Sequence, residues 1–324
     1  MSTAEIYEPL RPLLFSIAYR MLGSVSDAED IVQEAFLRYH GAAAGPDGID
    51  SPKAFLSAVT TRLCIDHLRS ARVRREAYVG EWLPEPLLTG TGLTGTGLTG
   101  TGLTGSGAPD PAGLVEQADS LSMAFLLLLE RLSPVERAVF LLHEVFSYDY
   151  GEIAAIVGKS EDNCRQLALR ARRHIAGHRP RFEASRRKRE ELASRFFRAV
   201  GDGDMRDLVS MLAEDVVVHG DSGGASPSWP RPIIGRDRAG RLLLSLGGPI
   251  RQLGITIRQA EINGQPGALF LDPDGNLINV FVLDIADGQV QTIRSVINPD
   301  KLHHFGPLAD IPTLRRQLRP PGGG

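Results

Sequence analysis

A run of cations in the middle of the chain has the composition of a surface that binds phosphate groups. Between Arg165 and Arg189 the sequence holds ten Lys and Arg residues, and Glu183 is the only acid. Helix faces that are merely solvated normally mix both signs of charge. The net charge of the whole chain is -3, so it is this local, one-sided cluster that favours contact with a nucleic-acid backbone.

The elements around these cations follow the pattern of a helix-turn-helix. Ser133 and Glu136 form a capping box that starts one helix, and Gly158 closes a short second helix. Ser160 is placed to cap a third helix, whose side chains would meet base edges and phosphates. The residues predicted to bind DNA are Lys159, Ser160, Asn163, Arg165, Gln166, Arg170 and Arg173. The residues predicted to be buried between the helices are Ile153, Ile156, Val157, Cys164 and Leu167. A three-helix bundle without a DNA-binding role is the alternative.

Residues 9–75 form a second predicted module of three helices. The second helix of this module has one apolar face and one face rich in acids and amides, which by default is a solvated surface. A loop from His40 to Asp50 follows it. The third helix, Lys53 to Arg75, exposes a second basic patch, part of which complements the helix dipole. The cations of this patch are Arg62, His67, Arg69, Arg72, Arg74 and Arg75.

Together the two modules resemble a bacterial extracytoplasmic-function sigma factor. The segment DAEDIVQEAFLRY (Asp27 to Tyr39) and the helix after it resemble sigma region 2, and the module from Ser133 to Arg173 resembles region 4. Two matches in the right order are more specific than either alone. One departure is Leu167, which stands where the family's pattern has a basic residue, so base preference does not carry over.

The resemblance implies partners and roles for these residues. The partners are core RNA polymerase and promoter DNA. The loop after His40 and the helix from Lys53 would melt and read the minus-ten promoter element, and the helix from Ser160 would read the minus-thirty-five element. The surface implied to bind the polymerase comprises Asp30, Gln33, Glu34, Phe36 and Arg38.

Between the two modules lie a proline-containing strip and a glycine-rich repeat. LTGTG occurs from Leu88, Leu93 and Leu98, with LTGSG from Leu103, and so much glycine predicts a flexible tether that lets the modules reach separate DNA sites. In the preceding strip Pro84 and Pro86 limit the backbone and Trp82 supplies an apolar anchor. This strip is predicted to be either a loop packed on its own domain or a docking strip for another domain.

The chain continues well past the second module into a segment of mixed character. Two helices, Glu191 to Val200 and Met205 to Leu212, precede runs with strand periodicity and the turn sequences Asp274-Gly275-Asn276 and Asp287-Gly288. This arrangement resembles the cone-shaped fold of SnoaL-type cyclases, ketosteroid isomerases and nuclear-transport-factor-like domains. The predicted fold class is therefore multidomain: two all-α domains and an α+β domain.

Two short motifs, Asp221-Ser222-Gly223-Gly224 and Asn298-Pro299-Asp300-Lys301-Leu302, resemble the two signatures of the sigma factors that carry such a tail, the forty-one group. Ser222 replaces the first glycine of the first signature, which leaves the need for glycine there open. In this group the tail is implied to act as a fused modulator that bears on the strip Trp82 to Pro86 and on region 2, with a small-molecule or protein effector that the sequence does not identify. The residues implied in this regulation are Trp82, Pro84, Pro86, Asp221, Gly223, Gly224, Asn298, Pro299, Asp300, Lys301 and Leu302.

Catalysis by the tail is not expected. Isomerases of this fold use a carboxylate base, often with a Tyr, whereas every Tyr lies at or before Tyr150 and only His219 and Asp221 are adjacent candidates. No catalytic residue, cofactor or metal site is predicted. Two rivals remain: a one-component repressor that senses a ligand through the tail, and an enzyme with a DNA-binding appendage.

The predicted boundaries are 1–80 for region 2, 81–112 for the linker, 113–182 for region 4 and 186–318 for the tail. Cys64 and Cys164 both lie in predicted helices. They are predicted to be buried thiols, which fits a reducing compartment. With no signal peptide or membrane-spanning run in sight, a cytoplasmic protein without a membrane partner is expected.

Overall fold

The computed structural model describes residues 3–43, 49–76, 78–89, 120–176, 185–224 and 231–318. The chain divides into two compact units. The N-terminal unit comprises Met1–Ala77 and Thr96–Pro180, and the C-terminal unit comprises Tyr78–Gly95 and Arg181–Gly324. Residues 78–89 thus belong to the C-terminal unit although they precede the helix-turn-helix in the chain. The repeats from residue 90 onward lie outside the described residues.

The described part of the N-terminal unit is all-α. Its first module holds α1 (Thr3–Leu22), α2 (Val25–Ala43) and α3 (Pro52–Glu76). Its second module holds α4 (Met123–Leu129), α5 (Pro134–Glu144), α6 (Tyr150–Val157) and α7 (Glu161–Ala176). Helix α2 continues three residues beyond His40, where a loop was expected, because alanine at positions 42 and 43 favours the helix.

The predicted starts and stops of the helix-turn-helix are confirmed. Ser133 and Glu136 form the capping box of α5, with Glu136 N donating to Ser133 Oγ at 3.3 Å. Gly158 ends α6 in the left-handed region at φ 66°, and Asn163 N donates to Ser160 Oγ at 3.3 Å. Val157 and Leu167, predicted to be buried, are only partly so. Instead α7 packs through a stripe of mostly small residues: Cys164, Ala168, Ala171 and Ile175.

The C-terminal unit has the predicted α+β fold. Its helices are α8 (Arg186–Asp202), α9 (Met205–Met211), α10 (Arg236–Gln252) and α11 (Ile311–Leu318). Its strands are β1 (Leu212–Asp221), β2 (Ile233–Ile234), β3 (Thr256–Ile262), β4 (Gln265–Leu271), β5 (Leu277–Ala286) and β6 (Gln289–Val296). They form one sheet in the order β2-β1-β6-β5-β4-β3. Strands β1 and β6 are parallel, and the other neighbours are antiparallel.

Two tight hairpins set the register of this sheet. Asp287-Gly288 joins β5 to β6, as the sequence predicts, with φ 53° and 69°. Asn263-Gly264 joins β3 to β4 with φ 54° and 69°. Positive φ at both central residues is the geometry that matches the twist of antiparallel strands.

The hydrophobic core of the C-terminal unit lies between one face of the sheet and its helices. Phe196 and Phe197 of α8 and Leu243 of α10 are buried there together with Val216 and Val218 of β1. Because side chains alternate along a strand, His219 and Asp221, further along β1, point to the opposite face. Tyr78, Glu81 and Leu83 meet these two side chains there.

Candidate functional site

The exposed face of α2 carries most of the residues implied to bind the polymerase. Asp30, Gln33 and Arg38 are exposed, and Arg38 pairs with Glu34 at 2.7 Å. Phe36 is different, because it is 6 % exposed and its ring lies 4.5 Å from that of Tyr7. The apolar side chain on this face is instead Leu37, 69 % exposed, at helical spacing from Asp30, Gln33 and Glu34.

Helix α7 and the turn before it present a basic surface, on which Arg165 and Arg172 are already paired with carboxylates. Lys159, Arg170 and Arg173 are exposed. The guanidinium of Arg165 pairs with Glu161 at 2.8 Å and with Asp162 at 3.1 Å. Exposed pairs of this kind contribute at most about 1 kcal/mol, so DNA phosphates or bases can replace them. Asn163 and Gln166 are exposed beside Ser160, whose hydroxyl caps the helix.

The basic patch of α3 is only partly open. Arg62 donates from Nε to Ile156 O and from Nη2 to Ala155 O, both at 2.8 Å, and so satisfies carbonyls at the end of α6. Arg69 is exposed beside Asp66, and His67 lies 3.4 Å from Asp27. The side chains of Arg72, Arg74 and Arg75 lie outside the described residues.

Buried polar contacts join the two modules within the N-terminal unit. Ser57 Oγ on α3 lies 2.8 Å from the hydroxyl of Tyr148, just before α6. Arg137 of α5 is 3 % exposed and donates to Met21 O at 2.6 Å and to Glu130 at 2.9 Å. Burial lowers the pKa of the Arg137 guanidinium, and a buried cation needs such acceptors. The two modules thus hold each other in this arrangement.

On the C-terminal unit, the centre of the site is the fully buried carboxylate of Asp221 at the end of β1. It accepts hydrogen bonds from Tyr78 Oη at 2.5 Å and from the backbone N–H of Leu83 at 2.8 Å. Lys301 Nζ lies 2.6 Å from it. Burial, followed by the bond to Asp221, raises the pKa of the Tyr78 hydroxyl. Tyr78, Asp221 and Lys301 are called the Asp221 cluster below.

Lys301 connects this carboxylate to the preceding strip of the chain. Its ammonium also donates to Leu83 O at 2.5 Å and lies 4.5 Å from the ring centroid of Trp82 and 4.9 Å from that of Tyr78. A desolvated ammonium over aromatic faces is stabilised by about 2 kcal/mol. Lys301, the cation of the second signature motif, is therefore bound by Trp82 and Leu83 of the strip.

The strip continues as a buried segment across the sheet. Leu83 is fully buried, and Pro84, Glu85, Pro86 and Leu87 are buried after it. His304 Nε2 lies 2.8 Å from Pro86 O. Burial lowers the pKa of His304 despite this bond, so the neutral ring donates its Nε2–H to the carbonyl.

Residues 87–89, which follow the strip, pair with the β3–β4 hairpin. Leu87 and Asn263 exchange hydrogen bonds, with Asn263 N donating to Leu87 O at 2.7 Å and Leu87 N donating to Asn263 Oδ1 at 2.9 Å. Thr89 N donates to Glu261 O at 3.0 Å, and Thr89 Oγ1 donates to Glu261 Oε1 at 2.9 Å. Residues 78–89 are hereafter the docked segment.

The glycine signature is explained by close packing against Asn298. Gly223 has φ 58°, and a Cβ there would lie 2.5 Å from Asn298 Nδ2. Asn298 Nδ2 in turn donates to Tyr78 Oη at 2.8 Å. Ser222 is buried without a positive φ, which answers the open question at this position: its backbone does not require glycine. Gly224 also has positive φ, 78°.

Other residues of the predicted regulatory set have plainer positions. Pro299 starts a short 3-10 helix, and Asp300, within it, is exposed. Leu302 is buried. Sequence reasoning missed Tyr78, Glu81 and His304. The carboxylate of Glu81 lies 2.6 Å from His219 Nδ1. The position of Glu81 just before Trp82 was the sequence signal that could have indicated this contact.

Among the described residues no His, Cys, Asp and Glu group has the geometry of a metal site. None of the described helices combines the length and apolar character needed to cross a membrane. Cys64 and Cys164 are both buried free thiols, as predicted.

Comparison with known proteins finds two sigma-factor families and two similar relatives. The Sigma-70 region 2 family matches residues 6–74, and the Sigma-70 region 4 family matches residues 122–175. The ECF RNA polymerase sigma factor SigJ of Mycobacterium tuberculosis is 35 % identical over 98 % of this chain and 97 % of its own. The probable ECF sigma factor SigI of the same species is 32 % identical over 90 % of this chain and 92 % of its own. The crystal structure of SigJ superposes with a TM-score of 0.68 at 33 % identity, covering 94 % of this chain and all of that one.

Proposed function

The chain belongs to the extracytoplasmic-function sigma factors of RNA polymerase, and we propose that its C-terminal domain regulates it by binding the docked segment. As a sigma factor it binds core RNA polymerase and directs promoter recognition and transcription initiation. The exposed face of α2, with Leu37 as its apolar contact, binds the polymerase. The exposed cations of α3 and α7 bind promoter DNA.

The packed N-terminal unit is a resting arrangement in this proposal. The minus-ten and minus-thirty-five promoter elements are about 25 base pairs apart. This separation is about 85 Å along B-DNA at 3.4 Å per base pair. Two modules joined by the buried contacts of Ser57 and Arg137 cannot reach both elements at once. Arg62, bonded to α6, also becomes available to DNA only when the modules separate.

The docked segment restrains this separation because it belongs to the connection between the modules. A fully extended stretch from Tyr78 to Thr89 would reach about 40 Å at roughly 3.4 Å per residue. While those residues are held on the C-terminal domain, that length is not available to the connection. The observation that carries the proposal is the Asp221 cluster, in which one buried carboxylate binds Tyr78, Leu83 and Lys301.

The test is Asp221→Asn with Asp300→Asn as its matched control. The first substitution leaves a buried ammonium without its counter-charge, which costs about 3–5 kcal/mol. The second removes an exposed carboxylate from the same region. Chains that also carry Trp229→Phe have Trp82 as their single tryptophan. We expect Asp221→Asn to shift Trp82 emission to the red and to raise run-off transcription with core polymerase, and Asp300→Asn to do neither.

Two results would contradict the proposal. One is a red shift of Trp82 with unchanged transcription, which would mean that docking has no regulatory effect. The other is an equal change in transcription for Asp300→Asn, which would mean that the effect is not specific to the buried cluster.

The C-terminal domain is a binding module rather than an enzyme in this proposal. The two residues that could act as base and partner are already engaged: Asp221 in its cluster, and His219 with Glu81. An effector would act by preferring either the docked or the released segment, since a ligand shifts an equilibrium only through its difference in affinity for the two states.

A further inference from the structure

We propose that a cavity beside the docked segment binds a small organic anion, with a carboxylate, sulfonate or phosphate on an apolar body. The cavity lies in the C-terminal unit, between the first half of α8 and the β3–β4 hairpin, and has a volume of about 510 Å³. Cavities of roughly 300–1,000 Å³ hold metabolite-sized ligands. The binding claim stands on the cavity alone, whereas its coupling to the segment rests on the proposed function above.

The charges that line the cavity leave two cations unneutralised. Its ionisable residues are Arg186, Arg189, Glu190, Arg258 and Glu261. Arg186 takes both carboxylates, Glu190 at 2.8 Å and Glu261 at 2.7 Å. Arg189 and Arg258 form no ion pair with any residue that the structure describes. The wall therefore has an excess of positive charge in a partly apolar surround.

Arg189 is the cation whose position most requires an anion. Its side chain is 7 % exposed and donates from Nη1 to Gln265 Oε1 at 3.0 Å. The Nε of Arg189 and the Nε2 of Gln265 are buried without a hydrogen-bond partner among the described residues. A buried guanidinium with only a neutral partner is costly. An anion with two oxygens would supply charge-assisted hydrogen bonds that this group lacks.

The backbone of α8 adds to the positive potential. The first turn of this helix contains Arg186, Arg187 and Lys188 and no acid. Cations at a helix N-terminus oppose the helix dipole, whereas an anion there is stabilised by it. A bound anion would offset the unfavourable interaction between these cations and the dipole of the 17-residue helix.

The docked segment forms part of the cavity wall. Leu88 lines the cavity, and its neighbour Thr89 bonds to Glu261, the same carboxylate that pairs with Arg186. An anion seated against Arg189 and Arg258 contacts Leu88 only while the segment is docked. Binding therefore stabilises the docked segment, and by reciprocity release of the segment weakens binding.

The test uses a pair of fluorescent probes with the full-length chain. Anilinonaphthalene sulfonate carries an anion on aromatic rings, and phenylnaphthylamine has the same rings without the charge. We expect the sulfonate to bind at one site per chain, with a Kd at least about tenfold lower than that of the neutral probe. A tenfold lower Kd is the effect expected of one charge-assisted hydrogen bond.

The key variant is Arg258→Gln, because Arg258 is exposed and its loss leaves the fold intact. We expect it to weaken the sulfonate about tenfold and to leave the neutral probe unchanged. The matched control is Arg187→Gln: Arg187 lies on the same helix, pairs with Glu191 and does not line the cavity. Equal affinity of the two probes, or an equal loss in Arg187→Gln, would overturn the site.

Coupling is tested separately with Asp221→Asn. We expect this variant to bind the sulfonate about fivefold or more weakly than the parent chain does. Unchanged affinity in a variant whose Trp82 is released would overturn the coupling and leave the site in place. If Asp221→Asn failed to release Trp82, the docking role would be wrong, and Arg258→Gln would still decide the site.

Discussion

Asn298 is the residue whose surroundings show how closely the docked segment and the signature motifs fit. Its side chain touches Gly223 on one side and donates to Tyr78 Oη on the other. It also caps its own short helix, since Asp300 N donates to Asn298 Oδ1 at 3.0 Å. Glycine at 223 is required twice over, by a φ of 58° and by the position a Cβ would occupy. A single asparagine thus links both motifs to the docked segment.

Docking of the segment should weaken in mild acid because of His304. In the docked state burial lowers the pKa of His304, whereas in the released state we expect an ordinary value of about 6.5. The released state therefore binds more protons as the pH falls below about 6.5, and docking loses stability in that direction. At pH values well above 6.5 both states are neutral at His304 and its contribution to the pH dependence disappears.

The measurement is Trp82 emission of the Trp229→Phe chain between about pH 5 and 8. We expect a red shift on acidification that His304→Gln largely removes, because a Gln amide can still donate to Pro86 O without titrating. His303→Gln should keep the shift, since His303 is exposed. An unchanged pH profile in His304→Gln would contradict the assignment of the effect to His304.

At the scale of single elements, we propose that α7 separates base reading from phosphate contact. Arg165 lies in the first turns of the helix, whereas Arg173 lies in its last turn. Arg165→Ala should weaken binding mainly at one promoter position, by about 1–3 kcal/mol. Arg173→Ala should weaken binding on all sequences and reduce the salt slope by about one.

The comparison is made by titrating the polymerase-bound chain onto minus-thirty-five variants at several salt concentrations. Arg165 first has to leave Glu161 and Asp162, so its loss also frees two carboxylates near the DNA. Glu161→Gln with Asp162→Asn serves as the control and should strengthen binding without changing sequence preference. Identical profiles for the two arginine variants would mean that α7 is not the reading helix.

The elements that the sequence predicts best are those with strong local signals. Capping residues such as Ser133, and Gly158 at the end of α6, fix the helix-turn-helix without any tertiary information. On α2, helical periodicity places Phe36 on the apolar face with Val32 and Ala35, and Phe36 is buried there against Tyr7. The family resemblance instead made Phe36 a polymerase contact, a role that its burial does not fit, whereas the neighbouring Leu37 is exposed.

Long-range pairing is what the sequence does not contain in readable form. The parallel partnership of β1 with β6 joins strands far apart in the chain, and no local pattern indicates it. The Asp221 cluster depends on that partnership, because Asp221 ends β1 and Lys301 follows β6. The family resemblance pointed to both residues, but Tyr78 and His304 were missed because their roles arise only after the strip has docked.

At the scale of the whole molecule, the C-terminal domain keeps an apolar strip of the connection out of water. Leu83 and Leu87 are buried on its sheet, and each buried leucine contributes about 1.5–3 kcal/mol. The strip therefore has to find another surface, or remain exposed, when the domain is absent. The same strip belongs to the segment that connects the two modules in the chain.

Removal of the whole domain should therefore raise transcription and reduce solubility together. We compare a chain ending at Arg181 with a control that ends at Leu318 and keeps every described element of the domain. In run-off transcription with core polymerase, the shorter chain should give more transcript, because no part of its connection is held. The control should match the full chain. Equal transcript from all three chains would mean that the domain does not restrain the sigma factor, and the buried Asp221 cluster would then serve only to fold it.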